Sequence, residues 1–106
     1  MDYKDRWTEF EVQSLAFSIL RKNLYPRYLV RGEYKFLAAR TDIAIFKANP
    51  VGQAPTLLCV IEIKKSDNGK STKQGERYTQ ELGVPCVYVR GVSEAYNILS
   101  LVQPHL

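Results

Sequence analysis

The chain has 106 residues, with 15 Lys and Arg against 11 Asp and Glu and a formal charge of +4. That length supports a single core, and 45% apolar with 25% charged residues is a globular composition that excludes a disordered tail or a fibrous repeat. No apolar run nears the roughly 20 residues of a membrane helix, and MDYKDRWTEF lacks the apolar stretch of a secretory signal, so a cytoplasmic protein is expected. The modest positive charge points only weakly toward polyanions.

Residues 5–24 carry Val12, Leu15, Ala16, Ile19 and Leu20 at helical spacing, and Pro26 stops the run. On a helical wheel Glu9 falls about 40° from the centre of that apolar stripe and Glu11 roughly 120° away. Glu9 is therefore predicted to project toward the core and Glu11 toward solvent. Residues 27–37 alternate as a strand, with Tyr28, Val30, Tyr34 and Phe36 on one face and Arg31, Glu33 and Lys35 on the other. Gly32 is a candidate bulge. Residues 42–47 (DIAIFK) form a short second strand opened by Asp42, and two prolines and a glycine make 48–56 a loop.

Residues 57–64 (LLCVIEIK) are apolar on both faces, as in a central strand. Turn residues fill 66–71, and 71–82 reads as a one-sided helix ended by Gly83. Residues 85–90 (PCVYVR) make a fourth strand, and Ser93 is the expected cap of a last helix with Glu94 in its first turn. The order is α-β-β-β-α-β-α. The crossover between the third and fourth strands requires a parallel pair there, while the first three suit an antiparallel meander. An α/β fold follows, with a mixed sheet of about four strands flanked by helices.

The informative positions carry charge where the pattern calls for apolar groups. Alternation puts Val60, Glu62 and Lys64 on one face of the third strand and Cys59, Ile61 and Ile63 on the other. An ionised carboxylate in such a strand is costly unless it is paired or binds a cation. A Glu62–Lys64 ion pair is one solution. A cation is the other, because Asp42 on the neighbouring strand can converge on Glu62. Gln74 and Tyr78, spaced i, i+4, share a helix face with Lys70, Lys73 and Arg77 around them, a basic surface directly after Lys64. Cys59 and Cys86 lie far apart in apolar segments and serve as small hydrophobes, as most of the tyrosines (Tyr28, Tyr34, Tyr88, Tyr96) serve as core. His105 is a tail residue without a role.

The ordered set Glu9, Asp42 in RTDIAIF, Glu62-Ile63-Lys64 in CVIEIKK, and Gln74-x-x-x-Tyr78 in QGERY resembles the PD-(D/E)xK nuclease superfamily. From LYPRYLV to PCVYVRG the chain is similar to the nuclease domain at the N-terminus of type I restriction motor subunits. Thr41 stands where the family often has proline. The resemblance implies a restriction-endonuclease-like core and Mg²⁺-dependent hydrolysis of phosphodiester bonds in DNA, with Mn²⁺ able to substitute. It implies Asp42, Glu62 and the Ile63 carbonyl as metal ligands, with Glu9 acting through water. Lys64 would orient the attacking water and stabilise negative charge. Lys65, Lys73, Gln74, Arg77 and Tyr78 would contact or position nucleic acid. Hard carboxylate and carbonyl oxygens suit such an ion. A homodimer or a targeting protein partner would supply what one small domain lacks.

Two rival readings remain open at this stage. One is a nucleic-acid-binding module on the same fold without chemistry, and the other is a structural domain in which Glu62 and Lys64 only pair. The charge distribution favours a nucleic-acid partner. Five of the fifteen basic residues (Lys64, Lys65, Lys70, Lys73 and Arg77) fall in one fourteen-residue stretch beside two acids.

Overall fold

The computed structural model describes residues 7–36, 39–64 and 76–106. Helix α1 (Glu9–Leu24) starts at a capping box: the Thr8 hydroxyl accepts from the Glu11 N–H at 3.1 Å while the Glu11 carboxylate accepts from the Thr8 N–H at 3.0 Å. This cap starts the helix at Glu9, later than the predicted residue 5. Arg21 and Lys22 complement the helix dipole in the last turn, before Pro26. Val12, Ala16 and Leu20 are its buried positions, one stripe at the spacing read from the sequence.

Four strands follow, β1 (Tyr28–Phe36), β2 (Ala39–Lys47), β3 (Thr56–Lys64) and β4 (Cys86–Arg90), and they lie side by side in that order. β1, β2 and β3 are antiparallel neighbours, and β4 runs parallel to β3, so the predicted mixed sheet is the one observed. Two short helices, α2 (Gly91–Tyr96) and α3 (Ile98–Val102), close the domain with a final 3₁₀ turn at Gln103–His105. No helix among the described residues is long and apolar enough to cross a membrane.

The sheet has a core on each face. On one, Val12, Ala16 and Leu20 of α1 and Ala95, Ile98 and Val102 of α2 and α3 pack on Val30, Ile43, Ile45, Cys59, Ile61, Ile63, Val87 and Val89. Each Val, Leu or Ile among them contributes roughly 1.5–3 kcal/mol on burial. On the other face Val60, Tyr78 and Val84 form a smaller cluster with Phe36, Leu57, Leu82 and Cys86. It is closed by a π-helical turn, Tyr78–Leu82, which ends at Gly83 in the left-handed region, φ 68°. The predicted stop at Gly83 is thus where the chain turns.

Four expectations are corrected. β1 does not keep one face: Tyr28 and Val30 pack on the helix side, whereas Phe36 packs with Val60 and Tyr78 on the opposite side. The switch falls at Glu33, whose left-handed backbone (φ 49°) breaks the alternation that Gly32 was expected to disturb. β2 begins at Ala39, so Asp42 lies inside the strand and not at its start. The last helix begins at Gly91, where Glu94 Oε1 accepts the Arg90 N–H at 2.7 Å in place of a Ser93 cap, and it breaks at Asn97. Tyr34 and Tyr96 are exposed, not core.

Candidate active site

The β2–β3 register pairs Ile43 with Ile61 and Ala44 with Val60. One step further along, the same register sets Asp42 across from Glu62. Asp42 is half-buried, and its Oδ2 accepts the Ile63 backbone N–H at 2.8 Å. That bond joins the two strands through a side chain just beyond their last regular pair. It also leaves Oδ1 as the Asp42 atom that can face an ion.

Glu62 is only 9% exposed, and its buried Oε1 has no hydrogen-bond partner among the described residues. Burial, with the neighbouring Asp42 charge adding to it, pushes its carboxyl up to about 7. The Lys64 ammonium, the Thr41 hydroxyl and the Asp42 backbone act more weakly in the opposite direction. No ion pair joins Glu62 to Lys64 among the described residues, so the purely structural pairing is not what forms. A buried acceptor without a donor is rare in folded proteins and costs about 1–3 kcal/mol. Protonation of Glu62, or a cation shared with Asp42, would each relieve that cost.

Two further residues hold this corner, and neither stood out in the sequence. Thr41 is 1% exposed. Its hydroxyl lies 3.1 Å from the Ile61 carbonyl and 3.2 Å from that of Ile43, sharing one proton between them. The residue read as a substitute for proline therefore ties β2 to β3 immediately beside Asp42. From α1, Gln13 donates its Nε2 to the Asp42 carbonyl at 3.2 Å. On β1, Gly32 pairs with Ile43 and Tyr34 with Thr41, so Glu33 stands across from Asp42. Its left-handed backbone, worth about 1–3 kcal/mol of strain, lies beside the carboxylate pair.

Glu9 does not project toward the sheet. It is exposed in the first turn of α1, one turn before Gln13, and no group of three Asp, Glu, His or Cys side chains able to hold a metal occurs among the described residues. The capping box sets the helix start at Glu9 itself, beyond the end of the buried stripe, which leaves its side chain in solvent. The structure thus brings Asp42, Glu62 and Lys64 together and leaves Glu9 outside.

Lys64 is half-buried at the end of β3, with its Nζ 6.0 Å from the centre of the Tyr88 ring. Arg90 lies over the same ring, its Cζ 5.2 Å from the centre. The parallel register explains the grouping, since Tyr88 pairs with Glu62 and Arg90 with Lys64. Alternation in CVYVR puts Cys86, Tyr88 and Arg90 on one face, but nothing in the sequence sets that face against Glu62. Burial pushes the Cys59 thiol up to about 12 and the Cys86 thiol up to about 11, which favours the protonated form of both.

Tyr78 is 1% exposed, not part of a basic surface, and its hydroxyl donates to the Arg40 carbonyl. It anchors the strand that carries Asp42 instead of meeting a ligand. Arg77 is exposed and pairs with Glu81 at 3.2 Å. Lys65, Lys73 and Gln74 lie outside the described residues. Surface grooves along α1, one lined by Phe17, Arg21, Lys22 and Tyr25 and one by Trp7, Phe10, Glu11 and Leu15, include neither Asp42 nor Glu62. No protein-family description, no curated protein and no solved structure matches the chain.

Proposed function

We propose that the protein is a metal-dependent endonuclease that hydrolyses phosphodiester bonds of DNA on a restriction-endonuclease-like core. The observation that carries this reading is the buried, unpartnered Glu62 Oε1 beside Asp42, with Lys64 two residues further along the same strand. A structural carboxylate would have acquired a donor during folding, whereas a ligand carboxylate must keep an oxygen available. The fit to a hard divalent ion is good: two carboxylates and the Ile63 carbonyl offer only oxygen, as Mg²⁺ and Mn²⁺ prefer. When bound, such an ion supplies Lewis-acid charge at the phosphate and acidifies water.

The chain's own residues do the rest. Asp42 is held by its bond from the Ile63 N–H and by Gln13 on its carbonyl, so its free oxygen keeps a defined position. Thr41 fixes the β2–β3 crossing next to it. Lys64 places a positive charge where negative charge develops on the phosphate, and preorganised charge of this kind is usually the largest single contribution to the rate. Tyr78 is a positioning residue through Arg40. Arg77, Lys65 and Lys73 contact flanking phosphates and Gln74 helps to orient them, while Glu9 keeps only an outer role through water.

The test is a cleavage panel of duplex, single-stranded, flapped and junction DNA, with RNA alongside, in Mg²⁺ and in Mn²⁺. Cleavage by the wild type that is abolished in Lys64→Ala, with the fold intact, is the expected result. Salt-dependent DNA binding without metal affinity by calorimetry would instead support a binding module without chemistry.

A further inference from the structure

We propose that Tyr88 is a positioning residue for Lys64, an inference that rests on the catalytic reading above for its consequence but not for its geometry. Lysine carries its charge on a flexible four-carbon stem, so a catalytic ammonium needs something to hold it. Among the described residues no carboxylate forms an ion pair with Lys64. What stands near it is the face of an aromatic ring, with Nζ 6.0 Å from the Tyr88 ring centre, within the range where a cation is attracted to the ring quadrupole.

The placement follows from the parallel β3–β4 register. Tyr88 is the partner of Glu62, so its ring stands beside the carboxylate pair, and Lys64 is the partner of Arg90. Two cations in register on adjacent strands repel, and such opposed like charges destabilise a sheet. The Tyr88 ring reduces that cost because Arg90 lies against it as well, its Cζ at 5.2 Å. The Arg90 backbone is pinned in turn by the Glu94 carboxylate at 2.7 Å. The ring thus lies between two cationic side chains, and the Lys64 charge stays near enough to Glu62 to act on its carboxyl.

The experiment has one arm that needs no catalysis. With the lysine side chains ¹³C-labelled, the ε-methylene protons of Lys64, assigned by their loss in Lys64→Arg, are followed by NMR in the full chain. In the wild type they carry an upfield ring-current displacement. Tyr88→Phe keeps it, and Tyr88→Leu and Tyr88→Gln remove it; these two delete the ring by different routes, so one serves if the other does not fold. In the second arm, Tyr88→Leu lowers kcat for Mg²⁺-dependent cleavage by about 10- to 100-fold with KM for DNA little changed, as expected for a group displaced by about 1 Å. Tyr88→Phe restores most of the rate. An unaltered Lys64 signal in both ring-free variants overturns the inference, as does a Tyr88→Phe protein as slow as Tyr88→Leu, which would put the function in the hydroxyl. A wild type that cleaves nothing overturns the nuclease reading, and the ring-current arm then decides by itself whether Tyr88 holds Lys64.

Discussion

Replacing Glu62 by Gln keeps the size and hydrogen-bonding shape of the side chain but removes its charge, which makes it a direct probe of the buried carboxylate. In the folded protein this carboxyl is raised from an ordinary 4.5 to about 7. At 1.36 kcal/mol per tenfold change in proton affinity, ionising it in the fold costs about 3 kcal/mol more than in the unfolded chain. Between those two values the folded protein retains the proton that the unfolded chain has released. Stability contributed by the protonated form is therefore full below about 4.5, falls as the pH rises through about 7, and is gone above it. Water penetration and relaxation reduce the figure, so about 2–3 kcal/mol is the working value. For a domain of this length that corresponds to a Tm difference on the order of 10 °C. Thermal unfolding of wild type and Glu62→Gln, followed by circular dichroism from pH 4.5 to 8.5 in a chelator, measures it directly. Wild type should lose stability across the window, the variant should not, and by pH 8 the variant should be the more stable protein while inactive. Parallel pH curves for the two proteins would refute the argument that burial raises the proton affinity of Glu62.

Mg²⁺ or Mn²⁺ at pH 8 should raise the Tm of the wild type, since binding at 100 times Kd adds about 2.7 kcal/mol; Asp42→Asn should lose most of that gain in the same melt. Thr41→Val leaves the buried Ile61 carbonyl without its donor, so a loss of about 1–2 kcal/mol in urea denaturation is expected. Glu33→Gly relieves the left-handed backbone at φ 49°, and after glycine's own entropic cost the gain is up to about 1 kcal/mol, read as a higher Tm. Tyr78→Phe removes the hydroxyl bonded to the Arg40 carbonyl and should cost about 1 kcal/mol in the same denaturation assay, with a lower kcat if β2 shifts.

Local patterning alone sufficed for several features of this chain. The buried stripe of α1, the two-faced apolar run of β3 and the stop at Gly83 are set by side-chain period and by glycine, which act over a few residues. The parallel β3–β4 pair followed from the crossover, and Asp42 and Glu62 were marked as a converging pair because charge interrupted apolar strands. Other features depend on contacts between segments distant in sequence. Glu9 was misplaced because a helical wheel describes direction around an axis and not where the capped end stops along it. The face switch in β1 turns on one left-handed backbone at Glu33, a residue type that does not signal it. Gln13, Thr41 and Tyr88 were invisible as site residues because each matters through a partner 20 or more positions away, the Asp42 carbonyl, the Ile61 carbonyl and Lys64. Sequence determined which groups were chemically out of place. Only the tertiary structure decided what stands next to them, because strand register and helix packing are set by the burial of the whole core and not by any one segment.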